Sequence, residues 1–255
     1  MILIDTHCHL YLDEFKNDIG EVMERAIQSG VERFYLPGID STVIPDMLQL
    51  EEKYPGRCFA MMGLHPCSVK ENYREELSIV ETWLNQRPFA AVGEIGLDFY
   101  WDKTFADQQY EAFDLQMQWA LDRKMPIVIH TRNAMQETIN RVKPFAAKGL
   151  TGIFHCFSGS YESAVQVTDM GFLLGIGGVL TYKNAGLPAV LEKIGMEHLV
   201  LETDAPYLTP VPYRGKRNES SYLTYIIRLL ATTKNLSVEE AAAITSANAK
   251  KIFGG

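Results

Sequence analysis

A chain of 255 residues is long for an ordinary domain but matches one α/β barrel, which takes about 250 residues, so a single domain over 1–255 is expected. With 47% hydrophobic and 22% charged residues, and its 19 glycines spread along it, the sequence excludes a low-complexity or disordered chain. A net charge of −8 argues against a protein that coats nucleic acid non-specifically, which needs lysines and arginines to displace counterions, yet it leaves room for a small, locally positive site.

The first apolar run, 2–4, reads as a strand and is followed at once by Asp5, His7 and His9. These first residues lack the basic start of a secretion signal, and no apolar stretch approaches the roughly 18 residues of a membrane span, so a cytoplasmic protein with no membrane partner is expected. His7 and His9 have the period-two spacing that turns both imidazoles to one side, while Cys8 turns outward to pack between strands and helices. A helix is expected over 18–29, a strand over 33–36, a helix over 45–53, and a strand over 59–62 with His65 beyond it. A helix over 75–85 leads to a strand over 90–92, after which stands Glu94. Then come a helix over 106–122, a strand over 127–129 ending on His130, a helix over 135–146, and a strand over 152–154 ending on His155. Cys156 is read, like Cys8, as packing. A helix over 161–170, a strand over 172–174, a helix over 187–193 and a strand over 199–201 follow, with Asp204 just past the last strand. Beyond it, a helix over 220–232 precedes an extra helix over 237–250, for which Ser237 is the N-cap and Glu239 and Glu240 face the positive first turn. The four cysteines form no C-x-x-C pair and no disulfide framework, as suits a reducing compartment.

Strands alternating with helices imply parallel pairing, and eight such units close most economically into a (β/α)8 TIM barrel with one extra C-terminal helix. An open doubly wound sheet is the alternative, but no G-x-G-x-x-G follows the first strand. In a barrel all carboxyl ends open on one face, so His7, His9, Glu94, His130, His155 and Asp204 converge there although they span most of the chain. Burying so many ionisable groups together costs several kcal/mol unless a cation pairs them, so the pattern points to a bound metal. His198 precedes the last strand and belongs to the opposite face, where it is a surface or capping residue.

Several ordered segments resemble the TatD-related metal-dependent deoxyribonucleases, a branch of the amidohydrolase-like barrels: DTHCHL at 5–10, GLHP at 63–66, VGEIGLDF at 92–99, PIVIHTR at 126–132, HCFSG at 155–159 and LETDAPYL at 201–208. One departure follows RGKRNE at 214–219, where the family's run usually carries proline and this chain has Ser220. The resemblance implies two divalent metal ions. His7, His9, Glu94 and Asp204 would hold one, and Glu94 would bridge to a second held by His130 and His155. Magnesium or manganese is the expected working ion, with zinc or nickel able to occupy the same donors. The implied activity is cleavage of DNA phosphodiester bonds, 3′→5′ on single strands, with RNA as a further substrate. Asp204 is expected to take the proton of the attacking water while Glu94 stays a ligand. His65, Arg132, Arg214 and Lys216 are candidates for substrate phosphates, and Tyr207 and Phe99 for base stacking. Two other readings are open: an ester or amide hydrolase, such as one deacylating aminoacyl-tRNA, and a non-catalytic barrel whose metal is structural.

Overall fold

Eight parallel strands alternate with helices from one end of the chain to the other in the computed structural model, which describes residues 1–254. The strands are β1 (Leu3–Asp5), β2 (Val31–Leu36), β3 (Cys58–Ala60), β4 (Val92–Asp98), β5 (Ile127–Arg132), β6 (Gly152–Phe154), β7 (Leu173–Ile176) and β8 (Leu199–Leu201). The helices are α1 (Ile19–Gln28), α2 (Ile44–Lys53), α3 (Tyr73–Gln86), α4 (Ala106–Arg123), α5 (Met135–Ala146), α6 (Tyr161–Asp169), α7 (Leu187–Leu191), α8 (Leu223–Lys234) and α9 (Val238–Phe253).

Strand pairing runs in order through β1, β2 and β3, and again from β4 to β8. Two seams close the ring. At one, Met62 bridges Val92 and the Gly93 N–H donates to the Met62 carbonyl at 3.0 Å. At the other, the Thr6 N–H donates to the Leu201 carbonyl at 3.0 Å and Cys8 bridges Ala205. The result is the expected (β/α)8 barrel with its extra helix, α9.

Alternation along the strands splits the apolar residues into two cores. Inside the ring, Ile4, Tyr35, Met61, Ala91, Val128, Ile153 and Val200 form a buried layer. Ala249, Ile252 and Phe253 of α9 pack against that layer, with the Phe253 ring stacked on Tyr35 at 3.8 Å between centroids. The extra helix thus plugs the amino-terminal mouth. Its start is fixed by a capping box, in which Ser237 accepts from the Glu240 N–H and Glu240 accepts from the Ser237 N–H. Outside the ring, the opposite faces of the strands meet the helices in a much larger core that includes Leu3, Phe34, Ile129, Phe154, Phe113 and Ile227.

The element that departs most from expectation is β4. A strand is expected over 90–92 only, yet it runs from Val92 through two glycines to Asp98. Both glycines are there because β5 lies too close for a side chain. A Cβ on Gly96, whose φ is +147°, would stand 2.0 Å from the His130 carbonyl oxygen, and one on Gly93 would stand 2.9 Å from the Val128 Cβ. Smaller differences lie at ends: β2 begins at Val31, and a short 3-10 turn over Ser220–Tyr222 precedes α8 where a helix is expected from 220.

Two glutamines on the buried face of α4 then fix the carboxyl ends of neighbouring strand segments. Gln116 accepts from the Leu64 N–H at 2.7 Å and donates to the Leu64 carbonyl at 3.2 Å. Gln109 does the same for Asp98, at 2.9 and 3.1 Å. Each buried backbone group that has run out of strand partners is satisfied by a side-chain amide, so His65 and the end of β4 are held rigidly.

Candidate metal centre

The inner apolar layer sets the site by simple alternation. Two residues beyond Val128 on β5 comes His130; two beyond Ile153 comes His155; two and four beyond Val200 come Glu202 and Asp204. His7 and His9 follow β1 along the second seam, where the Asp204 N–H donates to the His7 carbonyl at 2.9 Å and the His9 N–H donates to the Ala205 carbonyl at 2.7 Å. Closing the barrel therefore puts the two ends of the sequence side by side.

Glu94 stands at the centre and divides its oxygens between two groups. Its Oε2 lies 3.1 Å from His7 Nε2 and 3.5 Å from His9 Nε2, and Asp204 Oδ1 lies 3.6 Å from both nitrogens. His7 Nε2 and His9 Nε2 face each other at 3.3 Å. Its Oε1 lies 3.0 Å from His130 Nδ1, 3.0 Å from His155 Nε2 and 3.3 Å from His65 Nε2. Imidazole nitrogens and carboxylate oxygens gathered this closely form a donor set that a cation would satisfy together. Donors about 2.1 Å from one metal stand roughly 3.4 Å apart at the corners of a tetrahedron, which is the spacing seen here. The residues present fit a metal on the first group, and His65, Glu94 and His130 lie close enough together to share a second, while His155 also stands within reach of His7 and Asp204.

Around these donors lies a layer of buried partners. Asp98 Oδ2 accepts from His130 Nε2 at 2.8 Å, which leaves the Nδ1 lone pair aimed at Glu94. Glu202, fully buried, has Oε1 3.4 Å from His155 Nδ1 and also accepts the Cys156 N–H. The His9 Nδ1 meets the Tyr11 hydroxyl at 2.9 Å, and that hydroxyl in turn donates to the Pro37 carbonyl. Asp5 accepts from the Thr203 N–H, the Thr203 hydroxyl and, at 2.6 Å, the Ser220 hydroxyl, tying β1 to the residue before Asp204. Ser220, the departure from the family's run, thus has a defined place under the site.

Charge in the cluster follows from who faces whom. Burial pushes the Glu94 carboxyl up, but the imidazoles of His155, His7 and His65 together hold it well below the usual carboxylate range. Burial also works against Asp204, and the His9 hydrogen bond and nearby imidazoles again bring it below its ordinary value. His9 is pushed up to about 9, because its bonds to Asp204 and Glu94 outweigh burial. His7 moves the other way, lowered by burial and by the His155 ring stacked on it at 3.8 Å. Asp5 rises to about 7, since burial exceeds what its hydrogen bonds return.

A cavity of about 670 Å³ opens over the donors and is lined by His65, Arg132, Trp101 and Tyr207 among others. Arg132 and Tyr207 are thus on the wall of the site, while Arg214, stacked over Tyr182 at 3.9 Å, and Lys216 stand outside its lining. Phe99 packs into the core edge against Tyr110, at 5.8 Å between ring centroids, and is not part of the wall either. His65 falls into the Glu94 Oε1 group, deeper than a substrate contact was expected to sit. Cys8 packs in the outer core as expected, but Cys156 does not: its φ of +49° turns the chain just after His155 and places the residue on the cavity wall. His198 lies apart from the cluster, 3.7 Å from Glu197. Asp98, Glu202, Tyr11 and Trp101 were not singled out in the sequence; only Asp98 and Glu202, two acids within otherwise apolar strand segments, carried a signal that could have found them.

The sequence model described as "TatD related DNase" matches residues 4–254. A relative from Bacillus subtilis, the uncharacterized metal-dependent hydrolase YabD, is 39% identical over 253 residues, covering 99% of each chain. The 3′-5′ ssDNA/RNA exonuclease TatD of Pantoea ananatis is 31% identical over 258 residues, again covering 99% of each. The crystal structure of YjjV, a TatD homolog from Escherichia coli K12, superposes with a TM-score of 0.94 at 28% identity, covering 99% of this chain and 98% of that one.

Proposed function

The chain belongs to the TatD related DNase family of metal-dependent hydrolases, and from that premise we propose that it hydrolyses phosphodiester bonds in DNA, shortening single strands from the 3′ end. In this reading the whole chain acts as one barrel domain that uses two divalent cations, and RNA is a further substrate. The observation that carries it is Glu94, whose two oxygens each serve a separate group of donors.

His7, His9, Asp204 and Glu94 Oε2 would hold one cation, and His130, His155 and Glu94 Oε1 the other. When bound, such a pair lowers the pKa of a water and neutralises charge developing on phosphoryl oxygens. The ionised Asp204, held below the usual carboxylate range at the edge of the cavity, accepts the proton of the attacking water. Glu94 has no oxygen to spare for proton transfer and keeps its place as a ligand. Asp98 fixes the tautomer of His130, and the buried carboxylate of Glu202 lies 3.4 Å from His155 Nδ1. Two divalent ions against Glu94 and Asp204 leave roughly two positive charges locally, which lets an acidic protein draw a phosphodiester into this cavity. Magnesium or manganese suits the carboxylates, and the imidazoles would also take zinc or nickel.

A 5′-labelled single-stranded oligonucleotide, incubated with purified protein and Mn²⁺ or Mg²⁺, is expected to shorten one nucleotide at a time from its 3′ end. Intact DNA beside cleaved carboxylic esters would replace this reading with an ester or amide hydrolase.

A further inference from the structure

The rim of the cavity carries a second feature, built from the loop after β4 and the end of β5. Trp101 is 67% exposed and Tyr100 52% exposed, although both are large aromatic groups that folding ordinarily hides. The loop is not loose. Asp98 Oδ1 accepts the Tyr100 N–H at 2.9 Å and the Trp101 N–H at 3.1 Å, while Asp98 Oδ2 holds His130. Arg132, the last residue of β5, lies over both rings, its guanidinium carbon 4.0 Å from the Tyr100 centroid and 5.0 Å from that of Trp101. Among the described residues no carboxylate pairs with Arg132. Trp101 and Arg132 both line the cavity that holds the donors, two residues beyond His130 in the case of Arg132.

An open indole and an unpaired guanidinium, held rigidly at the mouth of a site for phosphodiesters, match the two parts of a nucleotide. Resting on the phosphodiesterase reading above, we propose that Trp101 and Arg132 form a subsite that takes one unpaired base against the indole and one backbone phosphate against the guanidinium. A base in a duplex is already covered by its neighbours and its partner, so this subsite selects single strands. Guanidinium and indole are placed as a pair because cation–π contact orients Arg132 without neutralising it. Tyr207, 49% exposed and 6.2 Å from the His9 ring, stands in the same lining from the β8 side.

The test compares a thymidine 12-mer with a 12-mer whose 3′-terminal nucleotides are abasic, using the full Mn²⁺-loaded chain. Base–aromatic stacking predicts that the wild type favours the base-bearing strand about 5- to 150-fold in kcat/KM. In Trp101→Ala that ratio is expected to fall close to one, and in Trp101→Phe most of it should return. Arg132→Ala should weaken both strands alike and flatten the salt dependence of binding. A second readout does not need turnover: the thymidine strand should quench the emission of Trp101, the abasic strand should not, and Trp101→Phe should abolish the quench, since Trp119 is buried and Trp83 partly so. Quenching without cleavage of either strand would sink the phosphodiesterase reading and leave the subsite standing. Cleavage without quenching, or a Trp101→Ala ratio equal to that of the wild type, would overturn the subsite.

Discussion

Replacing Asp98 by Asn should weaken one cation and spare the other. The side chain has two separate duties: Oδ1 accepts two loop N–H groups, and Oδ2 accepts the His130 Nε2–H at 2.8 Å. An asparagine keeps its oxygen on the two N–H donors, because turning it over would leave both unpaired. Its NH₂ then faces His130 Nε2, donor against donor. His130 must shift its proton to Nδ1, the atom 3.0 Å from Glu94 Oε1, and the lone pair meant for a cation is lost. Changing a carboxylate behind a ligating histidine costs about 10- to 100-fold in metal affinity, roughly 1.4–2.7 kcal/mol. Calorimetric titration of the metal-free chain with Mn²⁺ reads this directly: the site shared with His130 and His155 should weaken by that factor, and the site shared with His7 and His9 should keep its wild-type affinity. Unchanged affinity at both sites would refute the argument from the tautomer, and equal weakening of both would show that Asp98 acts on the whole barrel end.

Three further substitutions probe the scaffold beneath the site. Gly96→Ala drives a methyl group onto the His130 carbonyl, a backbone atom that cannot move aside, and should cost on the order of 3 kcal/mol, lowering Tm by about 6–12 °C in thermal unfolding followed by circular dichroism. Gln116→Ala leaves the buried Leu64 N–H and carbonyl without partners; a loss of about 2–4 kcal/mol is expected in urea unfolding, with a lower kcat as His65 loses its support. Ser220→Ala removes a donor from Asp5, whose folded pKa of about 7 lies above the ordinary aspartate value of 3.8. Asp5 therefore costs no stability below the unfolded pKa, and its cost grows with pH until it is complete above the folded one. The variant should lose about 1–3 kcal/mol at about pH 8.5 and distinctly less at about pH 5.5, and urea midpoints at the two pH values should show it.

Much of this arrangement was legible before any coordinates, for a physical reason. Strand–helix alternation fixes the barrel, and a barrel turns the polar residue just past each apolar run into a neighbour of all the others; His130, His155 and Asp204 could be placed in this way. The same rule fails where a chain segment breaks its own pattern. Gly93 and Gly96 disguise the middle of β4 as its end, because the demand for a missing Cβ comes from the neighbouring strand and leaves no mark in the local sequence. Cys156 alternates outward on paper, but its left-handed backbone turns it onto the cavity wall. Glu202 and Asp98 were visible as acids in apolar runs, yet their partners, His155 and His130, are distant in sequence and depend on strand register. Arg214 and Lys216 drew attention by charge alone, and charge does not say which way a loop faces. Trp101 had no pattern to announce it, since one exposed aromatic in a loop has meaning only when the cavity beside it is known.

Loading the metal-free chain with Mn²⁺ and recording its electron paramagnetic resonance spectrum bears most directly on the role given to Glu94. Two ions bridged by one carboxylate should give an exchange-coupled signal in the wild type, and Glu94→Gln should remove that coupling. A six-line spectrum of isolated Mn²⁺ at saturating metal, or a coupled signal that survives in Glu94→Gln, would contradict the assignment of its two oxygens to two cations.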